Sequence, residues 1–207
     1  MRRIVCLLFC LILPLSILCF SPEASAESGS KASILIEAST MQVLSSSNAE
    51  QKLPMASVTK VMSLLLWAEM IEAGTLTLEE TVKATSAVQE IDGSVIWLEP
   101  GDEMTAAQLL ESVIIASAND ACVALAEHTA GSEAQFVKQM NARAKELGMN
   151  DTHYTNCGGF DDNGHYTTAH DTAIATAELM KHEVYRGWML TWLDYLGDGE
   201  GQLVNTN

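Results

Sequence analysis

Apolar and polar residues alternate in blocks along this chain, and the blocks predict a front of short strands followed by a run of helices. Ser33-Ile34-Leu35-Ile36 and Met41-Gln42-Val43-Leu44 are two apolar runs parted by residues 37–40, the pattern of an antiparallel hairpin. Pro54 breaks the chain before a run that begins at Ser57 and carries Val61, Met62, Leu64, Leu65, Leu66, Trp67, Met70 and Ile71. A helix apolar nearly all round has no face to give to water, so this one is expected at the centre of the fold, ending at Gly74. Residues 75–100 read as short strands and loops, with β-branched Thr81, Val82, Val95 and Ile96, and Glu99-Pro100-Gly101-Asp102 as a turn. Thr105 is placed to cap a helix carrying Leu109, Leu110, Val113 and Ile114, and Asn119 precedes another with Ala121, Val123 and Leu125. Ser132 with Gln135 and Thr168 with Asp171 have capping-box spacing, opening helices that run to Leu147 and through Leu179. Residues 156–164 read as loop, and Trp188 with Trp192, four apart, as a packing face.

The first residues form a separate unit. Arg2 and Arg3 precede an apolar stretch at residues 4–20, followed by the small-residue triplet Ala24-Ser25-Ala26. This is the pattern of a secretory signal peptide spanning residues 1–26, which makes the protein exported. A membrane anchor is the rival reading, with a stretch at the short end of the spanning range. Residues 27–207 are then long enough for one domain with a real core. Three of the five cysteines lie within the signal, leaving Cys122 and Cys157. Two do not make a disulfide framework. They can pair outside the cell, but the apolar helical surroundings of Cys122 favour a buried thiol. The formal net charge of −16 argues against a nucleic-acid partner.

Candidate chemistry centres on Ser57-Val58-Thr59-Lys60. Serine and lysine three residues apart on a first helical turn lie side by side, and a lysine that loses its charge by burial can take the serine's proton. Free backbone N–H groups at a helix start favour a developing oxyanion. Ser117-Ala118-Asn119 supplies a hydroxyl able to relay a proton and an amide that donates and accepts at once. Each motif alone is weak, since a serine three before a lysine is expected by chance about once in a chain of this size. Ser28 and Lys31 fit the first pattern, and Ser46-Ser47-Asn48 fits the second. Only Ser57 and Ser117 stand at the boundaries of apolar helical runs.

Serine-x-x-lysine and serine-x-asparagine belong, with lysine-threonine-glycine, to the motif set of penicillin-binding proteins and class A β-lactamases. Within that set, the chain from about residue 32 onward resembles the D-alanyl-D-alanine carboxypeptidases, the low-molecular-mass penicillin-binding proteins. The resemblance runs through Pro54-Met55-Ala56-Ser57-Val58-Thr59-Lys60, residues 111–127, Met140-Asn141, Leu147-Gly148-Met149 and His165-Tyr166-Thr167-Thr168-Ala169. It implies an α/β (α+β) penicillin-recognising serine transpeptidase/β-lactamase-like fold and a two-step acyl transfer without metal or other cofactor. Ser57 is then the nucleophile toward a peptidoglycan stem peptide ending in D-Ala-D-Ala and Lys60 its base. Ser117 passes a proton to the leaving D-alanine, Asn119 orients the substrate, and β-lactams acylate Ser57 as substrate mimics.

The chain departs from the family pattern in one respect. No lysine-threonine-glycine, lysine-serine-glycine or histidine-threonine-glycine triplet occurs, and His128-Thr129-Ala130-Gly131 is one residue too long and lies between helices. In the family that motif sits on a later strand and binds the substrate carboxylate. The expectation is a catalytic domain at residues 27–207 truncated before the third motif, an incomplete fold with N-terminal strands and a helical middle. Membrane association would then need a C-terminal segment that this sequence lacks. The rival functions are a non-catalytic peptidoglycan-binding remnant, a same-fold endopeptidase and a β-lactamase. Residues 151–159 hold no acid followed by leucine-asparagine, the class A deacylation signature, so slow deacylation is expected. The five histidines lack the spacing of a helical zinc pair and read as solvated or loop-bracing, and Asp161-Asp162-Asn163-Gly164 lacks the calcium-loop pattern.

Overall fold

A computed structural model of the chain describes residues 29–196 and 201–205, and residues 31–207 form one compact unit. The segment read as a signal peptide lies outside the described residues. The largely apolar run after Ser57 becomes helix α1, Lys60–Glu72, led in by a 3-10 turn at Ala56–Thr59. Met62, Leu65, Trp67 and Ala68 are fully enclosed. At about 1.5–3 kcal/mol per large apolar side chain removed from water, this helix supplies much of the driving force for the unit. Trp67 stacks on Phe136 with ring centroids 5.0 Å apart, and its indole N–H donates to Thr129 Oγ1 at 3.2 Å, so no polar atom is stranded. Gly74, at φ +71°, turns the chain out of the helix in the left-handed region.

Around α1 stand α2 (Ala106–Ala116), α3 (Asn119–Ala130), α4 (Glu133–Glu146) and α5 (Ala169–Leu179). Thr105 begins α2 with a complete capping box: its hydroxyl accepts from Gln108 N–H, and Gln108 reaches back to the Thr105 N–H. At Ser132 and Thr168 the hydroxyl likewise accepts from the residue three on. Neither Gln135 nor Asp171 completes the expected box, however. The Asp171 carboxylate is turned to the Asp151 N–H at 2.9 Å and the Thr152 hydroxyl at 2.8 Å, where it ties the preceding loop to the start of α5.

The strands form three separate antiparallel pairs. The hairpin read from the sequence is present, with β1 at Ser33–Glu37 and β2 at Gln42–Ser47, and a bulge between Leu35 and Ile36 shifts its register. β1 packs toward α5, and between them runs an apolar groove of about 580 Å³. Thr81–Lys83 (β3) pairs with Glu103–Thr105 (β4), as the β-branched residues there suggest. Val95 and Ile96 make no strand. The Ile96 N–H goes to the Asp120 carboxylate at 3.1 Å, so it is satisfied without a ladder. The expected Trp188–Trp192 face is also corrected. Helix α6, Arg186–Met189, ends before Trp192, leaving that ring 69% exposed while Trp188 stacks on Tyr185 at 6.1 Å. The last pair, β5 (Leu193–Leu196) with β6 (Gly201–Val204), lies against α2.

Candidate active site

The 3-10 turn places Ser57 one turn before Lys60, with its hydroxyl exposed to a cleft of about 590 Å³ that Lys60, Ser94 and Ser117 also line. Lys60 is only 4% exposed. Its Nζ lies 3.3 Å from Ser57 Oγ, 2.7 Å from Asn119 Oδ1 and 2.7 Å from the Gly158 carbonyl oxygen. Burial pushes the amine below the usual lysine range, and the neighbouring thiols Cys122 and Cys157 act in the opposite sense. Two of the three partners, the Gly158 carbonyl and the Asn119 oxygen, can only accept. Once the amine is neutral, these two acceptors would take both of its N–H bonds and leave its lone pair toward the Ser57 hydroxyl. The Asn119 amide is oriented without ambiguity, because its Nδ2 donates to the Asp92 carbonyl at 2.7 Å. Its oxygen is therefore committed to Lys60, and one Nδ2 proton is left over.

Ser117 ends α2 at φ +56°, ψ +33°, a left-handed conformation costing a non-glycine residue about 1–2 kcal/mol. The surrounding backbone holds it there: Ala118 N–H bonds to the Ser112 carbonyl at 3.2 Å and Asn119 N–H to the Ser94 carbonyl at 2.7 Å. The turn lets α2 stop and α3 begin within three residues, which brings the Ser117 hydroxyl into the cleft and sends Asn119 behind Lys60. Asn119 itself is the first residue of α3.

Several parts of the site were not foreseen as functional. Asp120, 2% exposed, accepts from the N–H groups of Ile96, Leu98 and Ala121 and holds the loop carrying Asp92 and Ser94 against α3. Its place in the first turn of α3 suits a carboxylate, since the helix dipole favours negative charge there. The loop at residues 156–160 is braced from within: Asn156 Oδ1 accepts from Gly159 and Phe160 N–H, and Nδ2 donates to the Phe160 carbonyl. Ser63 donates to the Cys157 carbonyl at 2.8 Å and Asn141 clamps Tyr154 through both amide ends, anchoring the same loop to α1 and α4. An acid beside serine-x-asparagine and the lone asparagine in α4 were visible in the sequence, but not what they hold. Cys122 and Cys157 are free and fully buried, in line with the thiol reading of Cys122, whose Sγ lies 3.3 Å from the Cys157 carbonyl oxygen. Among the described residues no three acidic, histidine or cysteine side chains gather as a metal site would require.

The fold class is shown by solved relatives: the chain takes up part of the penicillin-binding-protein, β-lactamase-like fold, matching penicillin binding protein 5 of Haemophilus influenzae with a TM-score of 0.78 and 26% identity over 84% of this chain and 51% of that one. The D-alanyl-D-alanine carboxypeptidase family profile matches residues 20–198, and the chain belongs to that family. It is similar to the D-alanyl-D-alanine carboxypeptidase DacF of Bacillus subtilis (strain 168), 39% identical over 214 residues, a match covering 97% of this chain and 55% of the relative. Among solved structures it resembles the D-alanyl-D-alanine carboxypeptidase DacD of Francisella tularensis, with a TM-score of 0.77 and 28% identity over 83% of this chain and 42% of that one. Penicillin binding protein 6B of Escherichia coli gives a TM-score of 0.75 and 28% identity over 81% of this chain and 54% of that one. The chain thus spans about half the length of the relatives it matches.

Proposed function

We propose that this chain carries the nucleophile, base and proton relay of a serine D-Ala-D-Ala carboxypeptidase. Ser57 Oγ attacks the carbonyl between the two terminal D-alanines of a peptidoglycan stem peptide. The new C–O ester forms, the C–N bond to the last D-alanine breaks, and the serine proton passes through Lys60 and Ser117 to the leaving amine. Water then adds to the ester carbonyl, restoring the Ser57 hydroxyl and releasing the shortened peptide. The remaining Asn119 N–H steers the substrate amide. The observation that carries this reading is the Lys60 amine at 3.3 Å from Ser57 Oγ, its other bonds made to groups that only accept. The family membership supports the substrate class, and the likeness to penicillin binding protein 6B supports penicillin binding at this site. Residues 1–26 serve export, which puts the domain on the side of the membrane where peptidoglycan lies.

Fluorescent penicillin tests the reading. The expected result is a stable adduct that peptide mapping places on Ser57, and its loss in Lys60→Ala with the melting temperature kept. An adduct on another residue, or unchanged labelling of Lys60→Ala, refutes the assigned roles. Rapid turnover of the label points to a β-lactamase. Cleavage of cross-linked but not monomeric muropeptides would make the enzyme an endopeptidase.

A further inference from the structure

His165 is 5% exposed and joins two segments that both reach Lys60. Its Nε2 lies 2.7 Å from Thr59 Oγ1, in the turn between Ser57 and Lys60. Its Nδ1 lies 3.0 Å from the backbone nitrogen of Thr155 and 3.2 Å from the Thr155 hydroxyl, at the head of the loop whose Gly158 carbonyl accepts from Lys60. A backbone N–H can only donate, so Nδ1 must present a lone pair and the ring proton resides on Nε2, donating to Thr59. This tautomer follows from the partners. A second proton has only Nδ1 to occupy, where it would face the Thr155 N–H donor against donor and keep only the longer contact to the Thr155 hydroxyl, which can accept.

We propose that His165 is a positioning residue whose neutral Nε2–H form locks the loop at residues 155–158 onto the Ser57–Lys60 turn, so that its protonation releases the loop and lowers Ser57 acylation. The effect on acylation rests on the carboxypeptidase reading; the lock itself does not. The charges that act on the ring are Asp161 and Asp162, in the turn before it, and His153, on the segment bridged to Tyr166; Tyr154 meets it edge-on with centroids 6.0 Å apart, and Lys60 follows its partner Thr59. Burial holds the imidazole below the usual histidine range, opposed by Asp161 and Asp162 and assisted by His153. The lock is therefore closed at neutral pH and opens on acidification.

Long-range proton–nitrogen NMR of the ring and the pH profile of fluorescent-penicillin acylation test this together. The expected result is the Nε2–H tautomer, with the Thr155 amide and the Lys60 Nζ resonances shifting as His165 protonates. Acylation should then show an acid limb at the same apparent pKa. In His165→Asn, where Oδ1 accepts from the Thr155 N–H, that limb should vanish and acylation at neutral pH should fall by no more than about fivefold, the worth of one hydrogen bond. His165→Gln restores the donor to Thr59 and not the acceptor for Thr155, and should fall further, by about tenfold or more. An Nδ1–H tautomer, unmoved Thr155 and Lys60 resonances, or an unchanged acid limb in His165→Asn would each overturn the proposal. If the parent chain is never acylated, the carboxypeptidase reading fails, and the resonance shifts alone decide the lock.

Discussion

Gly159→Ala tests the site most sharply, because the residue touches none of the reacting groups. Gly159 has φ +94°, and a Cβ there would lie 1.9 Å from the Ala56 carbonyl oxygen, 2.3 Å from its carbon and 2.9 Å from the Ser57 nitrogen. These neighbours are backbone of the turn that carries Ser57, so no side chain can swing aside. Relief needs the loop to retreat by about 1 Å or more, in a conformation that already costs an alanine about 1–3 kcal/mol. The adjacent Gly158 carbonyl moves with it and draws away from Lys60, to which it now bonds at 2.7 Å. A misplacement of about 1 Å is worth about 100-fold in rate. The assay is the second-order rate constant for acylation by fluorescent penicillin, with melting temperature and circular dichroism recorded on the same sample. The expected outcome is a folded variant acylated about 100-fold more slowly. A folded variant within about threefold of the parent would mean that the loop does not set the position of Lys60.

The other predictions concern stability and pH. Asp120→Ala strands the N–H groups of Ile96 and Leu98, and should cost about 1–3 kcal/mol in urea unfolding and open residues 92–98 to proteolysis. Trp67→Ala removes the centre of the core, with its ring stack on Phe136, and should cost about 3–5 kcal/mol by the same measurement. Acylation should rise with pH along a limb whose apparent pKa is below that of a free lysine, since burial disfavours the charged Lys60; a limb at or above the free value would show that Lys60 is not the base. For His165 the native pKa is lowered, so between that value and 6.5 the unfolded chain holds a proton that the native chain does not. Stability therefore rises with pH through this window and is lost on acidification; the melting temperature should fall there in the parent more than in His165→Asn.

The sequence by itself determined whatever is local in the chain. The hairpin at residues 33–47, the buried helix after Ser57, the caps at Thr105, Ser132 and Thr168, and the Ser57–Lys60 pair rest on neighbours within a few residues. Periodicity, capping chemistry and three-residue spacing encode such contacts directly. Tertiary structure alone decided the electrostatics of the site. Lys60 meets the Gly158 carbonyl across 98 positions and Thr59 meets His165 across 106. A backbone carbonyl carries no residue-specific signature, so no motif marks Gly158 as a partner of Lys60. The same limit explains Asp171, whose capping spacing was legible but whose carboxylate serves Asp151 and Thr152 instead. It also explains Ile96, whose strand propensity yielded to a carboxylate from α3. Such bonds form only once α1, α3 and the loop at residues 155–160 have packed together, because packing excludes the water that would otherwise satisfy each group.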